Sequence, residues 1–558
     1  MNTNERRLFD ERLQIQQSPS PMHLIRTLLI GLIVSQAASA LGAESEAGAR
    51  RVMTLEDCVQ SALEHNLGLQ IARYNPLIAR YTLNAIYGGY DPAFSLSGEH
   101  DYSLSPGGVD AQGRPFQGTE SESDRLSSGF QGTLPWGLFY NVGGSLVDRV
   151  DTRTVTIANP AAPQTYFTNI VYDAVTGAPI VNVFTNYDSI SIRTPFENTS
   201  GNLGFLQLRQ PVLKNFWIDS TRLNIAVNKR NLRISELDLR TQIMNVVTTV
   251  EQAYYNLIFA YENVKVQEKA LELAVRLQEE NKKKVEVGAL APLDEKQAEA
   301  QVAQSRADLL SAKNTLSMQQ NLLKSTITDD YKSLHDSEIV PAESLLAVPQ
   351  TFNLQESWEK GLTLRPDMVQ ARLNLEKQGY VVRFQKNQLF PQLDLIGTYG
   401  YSASAKEFSG ALDGLRRGDS PFYSAGAQVT VPLGNTGARN NYKVAKATKD
   451  QLALQVKALE QTIMVSIDDA LKRAQSDFER VSATHQARLY QEAALDAEQK
   501  KLENGKSTSF QVLIIQRDLT TAASQEIRAL ADYNNSLAQL ALAEGTTLDR
   551  RHINVETK

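Results

Sequence analysis

The chain has 558 residues, 42% of them hydrophobic, with 57 basic and 63 acidic side chains and a formal net charge of -6. That length suits several domains or one long repeated structure, and a mean hydropathy of -0.32 excludes a polytopic helical membrane protein. The acidic balance excludes the basic footprint of a nucleic-acid binder, the single cysteine, Cys58, excludes an intrachain disulfide, and the six histidines show no metal-ligand spacing.

Residues 1–40 read as an export signal. Met22-His23-Leu24-Ile25-Arg26 gives a positive start, Thr27 to Val34 a short apolar run, and Ala38-Ser39-Ala40 a cleavage site. The polar stretch before Met22 is long for a signal, so Met22 is read as the true start; N-terminal sequencing of a precursor that retains residues 1–21 would contradict that. The apolar run falls short of the roughly 20 residues that span a bilayer, and no run of 18 apolar residues follows it. A chain of this kind enters a membrane only as a closed β-barrel.

The mature chain reads as two tandem copies of one unit, 53–340 and 353–546, joined by a linker at 341–352 and followed by a tail at 547–558. Residues 54–103 align without gaps to 353–402. Leu55 matches Leu354, Ala72-Arg73 matches Ala371-Arg372, Pro92 matches Pro391, Gly98 matches Gly397, and Tyr102-Ser103 matches Tyr401-Ser402. The first copy is longer by an insertion at 104–200.

Each copy predicts a helix, strands, a very long helix, a turn and a shorter helix. Residues 54–88 predict the first helix, with Thr54 as cap and Glu56 and Asp57 in its first turn. After Pro92 the period changes from 3.6 to 2: Phe94, Leu96, His100 and Tyr102 fall on one face, and Ser95, Ser97, Glu99 and Asp101 on the other. Within the insertion Leu126, Ser128 and Phe130 alternate before Pro135-Trp136-Gly137, and Tyr140, Val142 and Leu146 after it. Residues 218–287 predict a helix on the order of 100 Å long. It has a heptad seam through Leu232, Leu239, Val246, Ala253, Ala260 and Ala274, with Ile243, Val250, Leu257 and Val264 four residues on. A half-length helix at 293–328 and a polar stretch at 329–352 follow. The second copy repeats the order: a helix at 353–389, alternation through Leu393, Leu395, Tyr399 and Tyr401 and again from Tyr423 to Val431, a long helix at 437–503 and a return helix at 508–545. Two half-length helices stacked end to end match one long helix, which puts 329–352 outside the tube at its middle. A strand apolar on one face and polar on the other suits a wall between lipid and water, or a half-buried soluble sheet. The helices are too long for an ordinary globular domain and favour the first.

Four passages carry a family resemblance: the openings Leu55-Glu56-Asp57 and Leu354-Gln355-Glu356, the helix-to-strand junction Leu389-Phe390-Pro391-Gln392-Leu393, the strand-to-helix junctions Gln210-Pro211-Val212-Leu213 and Val431-Pro432-Leu433-Gly434, and the turns Val287-Gly288-Ala289-Leu290-Ala291-Pro292-Leu293-Asp294 and Gly505-Lys506-Ser507-Thr508-Ser509-Phe510-Gln511. In this order the chain resembles the TolC family of outer-membrane factors. The resemblance implies an α+β membrane protein: a homotrimer whose outer-membrane β-barrel, in contact with lipid, continues into a long periplasmic α-helical barrel. Each chain would give four strands. Its function would be the outer-membrane channel of a tripartite efflux or type I secretion system, with a periplasmic adaptor and an inner-membrane transporter as partners. It would have no catalysis and no cofactor. The alternative is a periplasmic coiled-coil adaptor, which would show one hairpin and a lipoyl-like β-domain.

The tips hold the candidate site. Gly288 and Gly505 permit the positive φ that ends a long helix. Leu290, Leu293 and Phe510 either dock an adaptor or close the hairpins. In the family, acidic residues of the second tip narrow the aperture, with a basic residue two positions after the tip glycine. Here Gln511 and Ile514 stand at the acidic positions and Ser507 at the basic one. Asp294 is retained at the first tip, so the aperture reading rests on Asp294 and Gln511; an ordinary solvated acid near a helix start is the plain alternative for Asp294. In the insertion, 126–148 either forms an extracellular hairpin or adds two strands per chain, and the reading favours four barrel strands. No G-x-S-x-G, P-loop, G-x-G-x-x-G or H-E-x-x-H motif is present.

Overall fold

A computed structural model describes residues 50–109, 115–116, 118–158, 165–186 and 189–553. The expected export signal, Met22 included, and the end of the 547–558 tail lie outside the described residues.

Strand β1 (Arg50–Met53) leads into α1 (Leu55–His65). Thr54 caps this helix reciprocally: its hydroxyl accepts from the Asp57 N–H at 3.1 Å, and its own N–H donates to the Asp57 carboxylate at 2.9 Å. The single helix expected over 54–88 is broken at Asn66. That residue is extended, and its side chain accepts from the Leu69 N–H at 3.0 Å, opening α2 (Leu67–Tyr87). A 3-10 turn, Gly88–Tyr90, leads to β2 (Ala93–Ser105). The insertion then holds a short pair, β3 (Gly108–Val109) and β4 (Pro115–Phe116), followed by β5 (Thr119–Thr133), β6 (Phe139–Ala158), the separate hairpin β7 (Thr165–Tyr172) and β8 (Pro179–Asn186), and β9 (Ser189–Pro211).

Helices α3 (Ser220–Glu286) and α4 (Pro292–Ile327) form the first long hairpin. The one-turn α5 (Tyr331–Leu334) and β10 (Glu338–Pro341) follow, β10 pairing in parallel with β1. The helix expected at 353–389 is also split, into α6 (Leu354–Leu364) and α7 (Pro366–Asn387). Pro366 takes the first helical position and pushes Arg365 out of the helical region. Then come β11 (Gln392–Ala405), α8 (Phe408–Arg417), β12 (Ser420–Thr430), α9 (Thr436–Glu503), α10 (Ser509–Glu544) and α11 (Thr547–Arg550).

Helices α3 and α9 have 67 and 68 residues, while α4 and α10 have 36 each. The shorter helices stack end to end beside the long ones. Where α4 ends and α2 begins, the Asn66 side-chain amide donates to the Thr326 carbonyl at 2.9 Å. Where α10 ends and α7 begins, the Arg365 guanidinium donates to the Ala543 carbonyl at 3.0 Å. The main core lies at this level. Val247, Val250, Tyr254 and Leu257 of α3 are buried against Leu55, Cys58, Leu69, Leu323 and Ile339. The polar stretch 329–352 is fastened to the helices there: the Tyr533 hydroxyl donates to the Val348 carbonyl at 2.7 Å and the Lys324 ammonium to the His335 carbonyl at 2.9 Å.

The expectation was four barrel strands per chain; among the described residues the main sheet has six strands, in the order β12-β11-β9-β6-β5-β2. The stretch 126–148 forms β5 and β6, which enter between β2 and β9 and pair with them antiparallel. Near the helical end Phe130 and Leu126 of β5 and Val142 and Leu146 of β6 continue the apolar face of β2, while farther along the same face carries Asp124, Glu122 and Asp148. Helix α8 lies over the far end of the apolar face. Two glycines permit that approach: a Cβ on Gly414 would come within 3.0 Å of Ala403, and one on Gly201 within 3.2 Å of Leu415.

Candidate functional site

Two features of this architecture form the candidate site: a two-faced sheet and a pair of helical tips. In the sheet, register brings like residues into rows. Phe94, Phe130, Val142, Leu206, Tyr399 and Tyr423 are successive cross-strand partners from β2 to β12. Three residues further along, four on β9 where the register shifts, Ser97, Ser127, Ser145, Asn202, Ser402 and Ser420 form a second row of partners on the opposite face. The Phe94 and Phe130 rings pack at a tilt of 46° with centroids 5.0 Å apart, and the Ser97 and Ser127 hydroxyls lie 2.7 Å apart. Cross-strand pairs of this kind stabilise a sheet. Here they also sort it into an apolar face and a hydroxyl-rich face.

The two tips share one construction. At the first, Gly288 has φ 76°; its N–H donates to the Val285 carbonyl at 2.9 Å and that of Ala289 to the Lys284 carbonyl at 2.7 Å. At the second, Gly505 has φ 70°, donating to the Leu502 carbonyl at 3.1 Å, and Lys506 donates to the Lys501 carbonyl at 2.8 Å. A left-handed glycine thus closes each long helix. Pro292 then starts α4, and Thr508, accepting from the Gln511 N–H, caps α10.

The tips are held side by side. Leu277, Leu495, Val512 and Leu513 form one buried cluster across them. Beside it the fully buried Asn281 accepts from the Ser509 hydroxyl at 2.9 Å and donates to the Asp294 carbonyl at 3.4 Å. Asp294 sits half-buried in the first turn of α4, where the helix dipole favours an acid. Leu293 and Phe510 are exposed, at 65% and 51%, while Leu290 is half-buried and Gln511 exposed. The Ser507 hydroxyl donates to Glu498, and this bond, with Lys501 beside it, holds the Glu498 carboxyl below its ordinary value.

Asn281 and Ser509 were not singled out in the sequence, yet one signal for Asn281 was there. It falls seven residues after Ala274, on the heptad position of Ala253 and Ala260, where a buried polar residue fixes register.

Among the described residues no group of histidine, cysteine and acidic side chains is placed to hold a metal ion. No helix among them is long and apolar enough to cross a membrane. Burial pushes the Cys58 thiol up to about 12, far from the range of a nucleophile.

The family described as outer membrane efflux protein matches residues 181–327 and 359–546, more than half of the chain. The outer membrane protein TolC of Vibrio cholerae is 22% identical over 384 residues, covering 67% of this chain and 85% of that protein. TolC of Escherichia coli is 22% identical over 352 residues, covering 62% and 69%. The crystal structure of the Campylobacter jejuni CmeC outer membrane channel superposes with a TM-score of 0.59 at 18% identity, over 95% of this chain and 94% of that one. The chain is therefore an outer-membrane protein with an efflux role, and it belongs to the outer membrane efflux protein family.

Proposed function

We propose that three copies of the chain close their sheets into one barrel in the outer membrane and their helices into a periplasmic tunnel. The assembly conducts substrates passively. A periplasmic adaptor grips the tips at Leu290, Leu293 and Phe510, and an inner-membrane transporter supplies the energy. Asp294 and Gln511 line the narrow end. The two facing rows of the sheet carry this reading: aromatic and aliphatic residues on one side suit lipid, and serines and asparagine on the other suit water. The sheet's two outer strands, β2 and β12, each pair on one side only, and a bilayer tolerates no open edge. Because β2 and β12 run in opposite directions, the β2 of one copy can pair antiparallel with the β12 of the next. Two long hairpins and a membrane-suited sheet also set the chain apart from a periplasmic adaptor. Native mass spectrometry of the outer-membrane extract tests the assembly: the reading expects three chains per particle, and a single chain would overturn it.

A further inference from the structure

We propose that the inserted hairpin β5–β6 is part of the membrane wall, so that the assembled barrel has eighteen strands and a lumen much wider than four strands per chain would give. The inference rests on the barrel reading above and deepens it.

Three observations carry it. First, β5 and β6 are not appended to an edge. They separate β2 from β9, pairing with β2 from Ala93↔Gln131 to Ser105↔Thr119 and with β9 from Phe139↔Arg209 to Ala158↔Ser189. A flap above the membrane would leave β2 and β9 in contact with each other; here they have none in the sheet order. Second, at the helical end of the sheet both rows run through the inserted pair, the same face turning polar only farther along, at Asp124, Glu122 and Asp148. Phe130 and Val142 continue the apolar row, and Ser127 and Ser145 the hydroxyl row. An extracellular hairpin, wet on both sides, would have no need of that sorting. Third, the turn of the hairpin is seated at the helical end of the sheet. The Leu134 N–H donates to the Leu138 carbonyl at 2.8 Å, and Gly137, at φ 89°, lies against the Arg222 guanidinium. Arg222 in turn donates to the Asn215 and Phe216 carbonyls at 2.7 and 2.8 Å and to Asp219 at 2.9 Å, just where α3 begins. The hairpin therefore spans the sheet from end to end.

Adding an antiparallel pair keeps the strands alternating in direction, so closure is unaffected. With strands about 4.8 Å apart and tilted about 40°, twelve would enclose roughly 24 Å between backbones and eighteen roughly 36 Å. The helical part gains nothing from the insertion, since the β5–β6 turn carries no helix. The outer-membrane end is thus a wide, serine-lined vestibule above a narrower tunnel. The size limit on cargo therefore lies in the tunnel below and not in this vestibule.

Cysteine substitution in the full chain, labelled with a membrane-impermeant maleimide in intact outer membranes, tests this. Cys58 is buried and gives little background. Ser127→Cys and Ser145→Cys should label, and Phe130→Cys and Val142→Cys should label at least about tenfold more slowly because they face lipid. Thr398→Cys and Leu395→Cys on β11 report on the barrel itself and should differ in the same way. If β11 alternates but all four inserted positions label alike, the hairpin lies outside the bilayer and the eighteen-stranded wall is wrong. If β11 shows no alternation, the barrel reading fails and this inference with it. The double variant Ser97→Cys, Ser127→Cys reads the placement without lipid: a disulfide under oxidation supports β5 beside β2, and its absence in folded protein opposes it.

Discussion

Ser509 donates its hydroxyl to the Asn281 side-chain oxygen at 2.9 Å, joining two hairpin tips that lie 228 residues apart in the chain. Both residues are buried, at 1% and 0% exposure, so neither group has water to fall back on. Ser509→Ala should strand the Asn281 oxygen at a cost of about 1–3 kcal/mol, whereas Asn281→Leu combined with Ser509→Ala should recover most of it. Hydrogen exchange at 277–295 and 500–515 is the readout. Faster exchange in the single variant is expected; unchanged exchange would mean that the bond does not hold the tips together.

A second buried link fastens the C-terminal end. The Arg551 guanidinium donates to Glu251, which is 1% exposed, and to the Tyr255 hydroxyl at 3.4 Å. Arg551→Leu leaves a buried carboxylate without its cation, a loss of about 3–5 kcal/mol. Glu251→Gln with Arg551→Leu should restore most of the stability. Thermal unfolding followed by helical circular dichroism checks both, and equal melting of the single variant and the parent would contradict the link.

Cys58 yields a pH prediction. Burial, helped by the negative Asp57 and Glu343, raises its thiol to about 12 in the folded chain, against about 8.5 when unfolded. The folded state therefore keeps a proton that the unfolded chain releases above pH about 8.5, so this group's contribution to stability declines as pH rises from there to about 12. Cys58→Ala should flatten that alkaline decline. In the native protein at pH 8 the thiol should resist alkylation and react only after unfolding; rapid native labelling would disprove the burial.

Leu293 and Phe510 are exposed at the tips. Leu293→Asp and Phe510→Asp should leave the melting temperature within about 0.5 kcal/mol of the parent in stability terms, yet break cross-linking to the adaptor and abolish efflux in cells. Full efflux by both variants would remove these residues from the docking surface.

Much of this architecture is legible in the sequence because it rests on period and length. The heptad seam at Leu239, Val246 and Ala253 lies in the buried face of α3, and the half-length helices meet end to end as their lengths demand. The breaks at Asn66 and Pro366 were missed, although both residues carry the local signal: an asparagine that caps and a proline at a first helical position. The six-stranded sheet was not legible for a different reason. Alternation at 126–146 shows that a strand has two unlike faces and says nothing of its neighbours, and only the pairing of Leu126 with Gly98 and Leu146 places β5 in the main sheet. Asn281 was hidden because a heptad describes one helix, while the partner that gives the residue its meaning, Ser509, lies in the other hairpin.

Cryo-electron microscopy of the particle extracted from the outer membrane tests the central claim most directly. A threefold particle, with a closed sheet in the detergent belt and a helical tube on the order of 100 Å long below it, is the expected result. A monomer, or an assembly whose sheet stays open outside the detergent, would contradict the account.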